Sequence, residues 1–158
     1  MKKEALKRIF EFLEEKENKL HIKKGTLMWK LSFNEPLTEK ELNVKGHLVL
    51  SNPGIETLPE GLKVRGSLIL HKTNIKSLPK GLEVGGDLDL TYSNIESLPE
   101  GLKVGRGLYL SNSKITSLPK GLEVGRNLNI RFTPLTKYLD DELKEMIQPG
   151  FIKGEIIR

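Results

Sequence analysis

Acid–base, metal and nucleophilic chemistry each need particular side chains held close together, and this chain is poor in them. It has three histidines, His21, His47 and His71, and no cysteine. That excludes disulfides and thiolate sites, and it leaves too few imidazoles, too scattered, for a zinc centre or a nucleophile and base pair. Asp87 and Asp89 are two carboxylates two positions apart, short of the six or so oxygens that a calcium ion takes. Neither a G-x-S-x-G turn nor a Walker-type loop occurs. The pairs Gly85–Gly86 and Gly105–Arg106 recur with the period described below and read as turn or strand-edge features before phosphate loops. No catalytic residue, metal or cofactor is expected. Recognition is, and the residues assigned to it are Val49, Ile69, His71, Asp87, Asp89, Tyr109, Asn129 and Arg131. Ile69 and Tyr109 are its apolar anchors, with Val49 at the edge and the two aspartates between them. Tyr92 and Phe132, one position beyond, either extend the patch or pack on turns.

These positions belong to a repeat. The chain aligns on itself with a 20-residue period: LPEGLKVRGSLILHKTNIKS from Leu58, LPKGLEVGGDLDLTYSNIES from Leu78, LPEGLKVGRGLYLSNSKITS from Leu98 and LPKGLEVGRNLNIRFTPLTK from Leu118. A degenerate copy precedes them, with Leu42, Val44, Gly46, Leu48, Leu50 and Ile55 in the same places. Each copy holds a V-x-x-x-L-x-L run, read as one short strand with a buried face. A polar turn and an apolar anchor follow (Ile75, Ile95, Ile115, Leu135), then L-P-x-G-L, where proline removes a donor and glycine permits a tight turn. One such coil cannot cover its own leucines, so copies must stack with their strands parallel, about 4.8 Å apart.

Charge patterning agrees with stacking. The columns Glu60, Lys80, Glu100, Lys120; Lys63, Glu83, Lys103, Glu123; and Glu56, Lys76, Glu96 place opposite charges on adjacent levels. The column Thr73, Ser93, Ser113, Thr133 is expected to satisfy turn backbone groups from level to level. Positions that differ between copies are those the scaffold does not dictate. The outward columns vary most: His47, Ser67, Asp87, Gly107, Asn127; then Val49, Ile69, Asp89, Tyr109, Asn129; then Ser51, His71, Thr91, Ser111, Arg131. Diversity on a fixed frame suits a recognition face.

The ends read as caps. Lys2 to Lys19 has Leu6, Ile9, Phe10 and Leu13 on one stripe, a helical pattern. Leu27, Trp29, Leu31 and Phe33 alternate with Met28, Lys30 and Ser32, which predicts a strand. At the other end, a helix over Leu139 to Gln148 is followed by a Pro149–Gly150 turn and a strand over Phe151 to Ile157. The segments are thus an N-terminal cap over 1–37, five repeats over 38–137 and a C-terminal cap over 138–158, forming one structural domain.

L-P-x-G-L every 20 residues with L-x-L strands resembles the short bacterial leucine-rich repeats of the LPX type, known from secreted effectors and small bacterial or phage-encoded proteins. The resemblance covers about two thirds of the chain. It departs from the family in carrying Ser or Thr in place of an asparagine ladder, and Gly or Arg where a leucine is common. It implies an α/β repeat solenoid, a leucine-rich-repeat-like stack of short parallel β-strands with an N-terminal capping helix; a parallel β-solenoid is the alternative that the same coil length accepts. It also implies a protein-binding module, in the manner of a bacterial or phage-encoded inhibitor of a host defence protein. The ubiquitin-ligase activity of some effectors is not implied, because their catalytic cysteine has no counterpart.

The balance of 26 basic against 21 acidic residues, a net charge of +5, is mild support for an acidic partner. Nucleic-acid binding is the second reading, through Arg65, His71, Arg106, Arg126 and Arg131 together with the lysines of the first thirty residues; aromatic residues, at 6%, are few for base stacking. With neither a signal-peptide pattern nor an apolar run of about 20 residues, a soluble, cytoplasmic protein is expected, with no membrane or small-molecule partner.

Overall fold

The computed structural model describes residues 27–33, 35–51 and 53–158. The helix expected over Lys2 to Lys19 lies outside them. The chain divides into two compact units, Met1–Leu37 and Thr38–Arg158. In the first, Leu27–Phe33 forms a helix, α1, rather than the expected strand. Leu27 and Leu31 are four apart, so a seven-residue run that alternates also satisfies a helical stripe, and so short a segment does not separate the two periods. Trp29 and Leu31 are buried.

The second unit opens on a single helical turn, α2 (Glu39–Leu42). Its capping box is complete: the Thr38 hydroxyl accepts from Glu41 N–H, and Glu41 Oε2 accepts from Thr38 N–H at 2.9 Å. Five repeats follow, each with two strands of two residues. They are β1 (Asn43–Val44) and β2 (Leu48–Val49), β3 (Lys63–Val64) and β4 (Leu68–Ile69), β5 (Glu83–Val84) and β6 (Leu88–Asp89), β7 (Lys103–Val104) and β8 (Leu108–Tyr109), and β9 (Glu123–Val124) and β10 (Leu128–Asn129). A 3-10 turn (Pro134–Lys137) and helix α3 (Asp140–Met146) lead to β11 (Phe151–Ile152) and β12 (Ile156–Ile157), which form a sixth level. All pairing is parallel. The odd strands make one six-stranded sheet, here sheet A, and the even strands another, sheet B. The architecture is a parallel β-solenoid, the second of the two architectures expected from the sequence.

The V-x-x-x-L-x-L run is therefore not one strand. It bends at an elbow, residues 65–67 and their equivalents, between the two sheets. In each copy the middle of the run holds Gly or Arg, so no leucine there calls for the strand to continue inward. Glycine also permits the close approach at the elbow: a Cβ on Gly85, Gly105 or Gly125 would lie 2.1–2.3 Å from the carbonyl oxygen of the level before it. The other corner of each coil is closed by the glycine of L-P-x-G-L, with φ between 68° and 75° at Gly61, Gly81, Gly101 and Gly121.

The core is a set of aliphatic columns. Leu62, Val64, Leu68, Leu70, Ile75 and Leu78 of one copy, their equivalents in the next two, and Leu122, Val124, Leu128, Ile130 and Leu135 of the last are all below 9% exposed. Fully burying each side chain contributes roughly 1.5–3 kcal/mol, which is why such short strands persist. Beneath the turns, Thr73, Ser93 and Thr133 each donate to the carbonyl three residues earlier, at 2.6–2.8 Å. These bonds stay within a level rather than joining levels, because the hydroxyl reaches back along its own turn. Of the charge columns, only Lys63–Glu83 (2.8 Å) and Lys103–Glu123 (3.0 Å) close into ion pairs among the described residues.

Candidate functional site

The outer face of sheet B collects the residues that vary between copies. Strand register places Val49, Ile69, Asp89, Tyr109, Asn129 and Ile157 in one row, each beside the next. Their neighbours Leu48, Leu68, Leu88, Leu108 and Leu128 point into the core. Alternation thus sends one side of each strand inward and offers the other to solvent. Val49 is 53% exposed, and Ile69, Asp89, Tyr109 and Asn129 are half-buried.

A second row runs two residues earlier, and it is a hydrogen-bond ladder. His47 Nδ1 accepts from Ser67 N–H (2.9 Å), Ser67 Oγ from Asp87 N–H (3.0 Å), Asp87 Oδ1 from Gly107 N–H (2.8 Å), and Asn127 Oδ1 from Glu155 N–H (3.1 Å). The side chains differ, yet each offers an acceptor to the level above. Variation in this column is interchange among acceptors, and it gives Asp87 a scaffolding duty that its sequence position did not reveal. Gly107 breaks the ladder because it has no side chain. Asp89 Oδ1 is likewise engaged, accepting from Thr91 N–H at 2.9 Å, and Asn129 Oδ1 accepts from Arg131 N–H and the Ser111 hydroxyl. With one oxygen of each aspartate so committed, the face is better suited to hydrogen bonding than to gripping an ion. Among the described residues there is no group of three or more His, Cys, Asp or Glu placed to hold a metal.

His71 and Arg131 lie past the strands, at the start of the turn. Arg131 Nε donates to the Arg158 carbonyl at 3.1 Å, and the His71 ring meets Tyr92 edge-on, with centroids 5.8 Å apart. No protein-family model, curated protein or solved structure matches the chain. The site therefore has to be read from its own geometry.

That geometry has a ridge beside the face. In the turns of the second to fifth repeats one non-glycine residue takes a left-handed backbone: Lys72, Tyr92, Asn112 and Phe132, with φ of 56–57°. Asparagine and glycine suit this conformation, whereas a bulky side chain is strained in it. Tyr92 and Phe132 nevertheless occupy it, and they stand 55% and 78% exposed. Both rings are thus exposed beside the strand face, and Tyr92 also meets the His71 ring of the preceding turn. Two levels separate Tyr92 from Phe132, about 10 Å at the usual strand spacing. Their strain was not visible in the sequence, although Asn112 in the same column was a signal, since asparagine commonly marks a left-handed turn position.

The five basic residues of the nucleic-acid reading do not come together. Arg65, Arg106 and Arg126 sit at the elbow before sheet B, and His71 and Arg131 sit after it. Roughly 17 Å of extended backbone lies between the two sets. Among the described residues, no helix is long and apolar enough to cross a membrane.

Proposed function

We propose that the protein is a non-enzymatic binding module that recognises a protein partner through the outer face of sheet B and the turn ridge beside it. The observation that carries this reading is the placing of two exposed aromatic rings, Tyr92 and Phe132, at backbone positions where asparagine or glycine costs less. Strain kept at exposed positions is characteristic of functional sites, and aromatic rings are the commonest energetic anchors of interfaces.

Size argues for the ridge as well as the strands. Three outward columns, two of six levels and one of five, cover at most about 13 by 24 Å, or roughly 300 Å², at ordinary strand dimensions. One side of a standard interface buries about 800 Å². The strand face alone is too small, so the contact takes in the ridge and its aromatic rings. Ile69, Tyr109, Tyr92 and Phe132 supply the apolar centre, and Asp89, Asn129, His71 and Arg131 supply polar contacts around it. Acting by occlusion or recruitment, in the cytosol of a bacterial or phage-infected cell, as an inhibitor of a host protein is the role that the resemblance to short leucine-rich-repeat proteins suggests.

The test is capture from native host cells with tagged wild type and an Ile69→Glu, Tyr92→Ala, Phe132→Ala variant, followed by calorimetry with the captured protein. A partner held by the wild type and at least tenfold more weakly by the folded variant supports the assignment. Equal capture by both rejects it.

A further inference from the structure

The elbow gathers cations that the sequence scatters. Its six equivalent segments are 45–47, 65–67, 85–87, 105–107, 125–127 and 153–155, the last aligned by the pairing of β11 with β9 and β12 with β10. They carry Lys45, Arg65, Arg106, Arg126 and Lys153 against two carboxylates, Asp87 and Glu155. All five cations are exposed. Among the described residues, none of the five has an ion-pair partner, whereas Lys63 and Lys103, just before the elbow on sheet A, are neutralised by Glu83 and Glu123. Asp87 is the acceptor for Gly107 N–H.

The arrangement is linear. Levels one, two, four, five and six each present one cation, and at about 4.8 Å per level the row from Lys45 to Lys153 is roughly 24 Å long. Gly85, Gly105 and Gly125 hold successive levels close and leave this edge free of bulk. We propose that the elbow of the solenoid binds the phosphate backbone of duplex nucleic acid, along about seven base pairs, independently of sequence. Lys45, Arg65 and Lys153 hold the first position of the elbow and Arg106 and Arg126 the second, so the cations form a band two residues wide along the stack, and a duplex, a rod with one charge per 1.7 Å or so, offers phosphates along the length of such a band. Single strands are generally held by base stacking on aromatic rings, and no elbow position carries one. Contacts to phosphate fix position and carry no sequence information, so the contact is one of position and charge. The elbow adjoins the face assigned to the protein partner and shares its first outward column, His47 to Asn127, but the five cations lie one or two residues before that column and outside the residues assigned to the partner.

The experiment is fluorescence anisotropy with a labelled 20-base-pair DNA duplex (a length well beyond the row), measured from about 50 to 200 mM salt. The expected result is binding whose log affinity falls against log salt with a slope of about −2.7 to −4.5, corresponding to three to five phosphate contacts. Arg106→Gln with Arg126→Gln is expected to weaken binding at least tenfold at 50 mM salt and to reduce the slope by about 2. Lys72→Gln with Lys114→Gln, an equal change of charge in the turns beyond sheet B, is expected to leave the affinity within threefold. Absence of duplex binding at 50 mM salt overturns the proposal, as does equal loss in both variants, which would show a response to net charge alone. Displacement of the duplex by polyglutamate at matched charge overturns it too and reassigns the elbow to an acidic protein surface. None of these outcomes bears on capture of a protein by sheet B.

Discussion

The Tyr109 ring lies over Gly107: a Cβ added at 107 would sit 2.9 Å from both Tyr109 Cε2 and its hydroxyl oxygen. The one gap in the acceptor ladder is thus the space that the only aromatic residue of the strand row occupies. Restoring an acceptor with Gly107→Ser is expected to displace the ring while giving Asn127 N–H the partner that Ser67 gives Asp87. Thermal unfolding should shift by less than about 4 °C, the scale of 1 kcal/mol or less in a domain of this size. The Tyr109 ring resonances should move, and affinity for a captured protein partner should fall. Unmoved resonances would show that the ring does not depend on the gap.

Exchanging the strained aromatic residues for asparagine separates stability from recognition. Tyr92→Asn and Phe132→Asn place at φ 57° the residue type that Asn112 already has there. Each is expected to stabilise the fold by up to about 1 kcal/mol, read as a raised urea midpoint, because a bulky residue in the left-handed region costs about 1–2 kcal/mol. Partner binding should weaken. Loss of stability in both variants would mean that the rings pack on the turns.

Glycines in the elbow divide by what surrounds them. Gly105→Ala would bring a Cβ to 2.2 Å from the Gly85 carbonyl oxygen and force the levels apart. A cost of about 1–3 kcal/mol is expected, in line with other overpacked sites. Gly46→Ala meets nothing within 4 Å and should be neutral or slightly stabilising. Chemical denaturation of the two variants checks the contrast.

Buried hydroxyls of one column are also unequal. Ser93 Oγ donates to the Leu90 carbonyl at 2.6 Å, while Ser113 Oγ is buried without a hydrogen-bond partner. Ser93→Ala is expected to cost about 0.5–1.5 kcal/mol, and Ser113→Ala to be neutral or stabilising, since it removes an unpaired buried group. Calorimetric melting of both variants tests the difference; equal losses would refute it.

Much of this architecture could be read from Leu58 onward. Identical spacing of Leu, Val and Ile in four copies specifies the coil length, the core columns and the order of stacking, because each buried position recurs where the coil must turn inward. The elbow was not legible as a bend: Val64, Leu68 and Leu70 fit a single alternating strand, and only the backbone contacts of Gly85 and Gly105 show why the chain corners between them. The Leu27–Phe33 helix was missed for a related reason, since seven residues satisfy two periods at once. At the candidate site, the row Val49, Ile69, Asp89, Tyr109, Asn129 followed directly from alternation. The duty of Asp87 did not, because a hydrogen bond to a backbone 20 residues away leaves no mark on side-chain type beyond the presence of an acceptor. Arg65, Arg106 and Arg126 shared an edge, while His71 and Arg131, grouped with them by charge alone, lay at the far end of the strands.

Parallel pairing in strict register makes copy number a variable of the molecule. Each level bonds only to the one before and the one after, so duplicating or deleting Leu78 to Ser97 changes the number of coils while keeping every core column in register, at the expense of like charges on the adjoining levels, whereas a change of two levels keeps the charge alternation as well. Reach along the axis can then be adjusted in steps of about 4.8 Å by unequal recombination between near-identical repeats. A solenoid of this kind evolves as a ruler whose graduations are genetic.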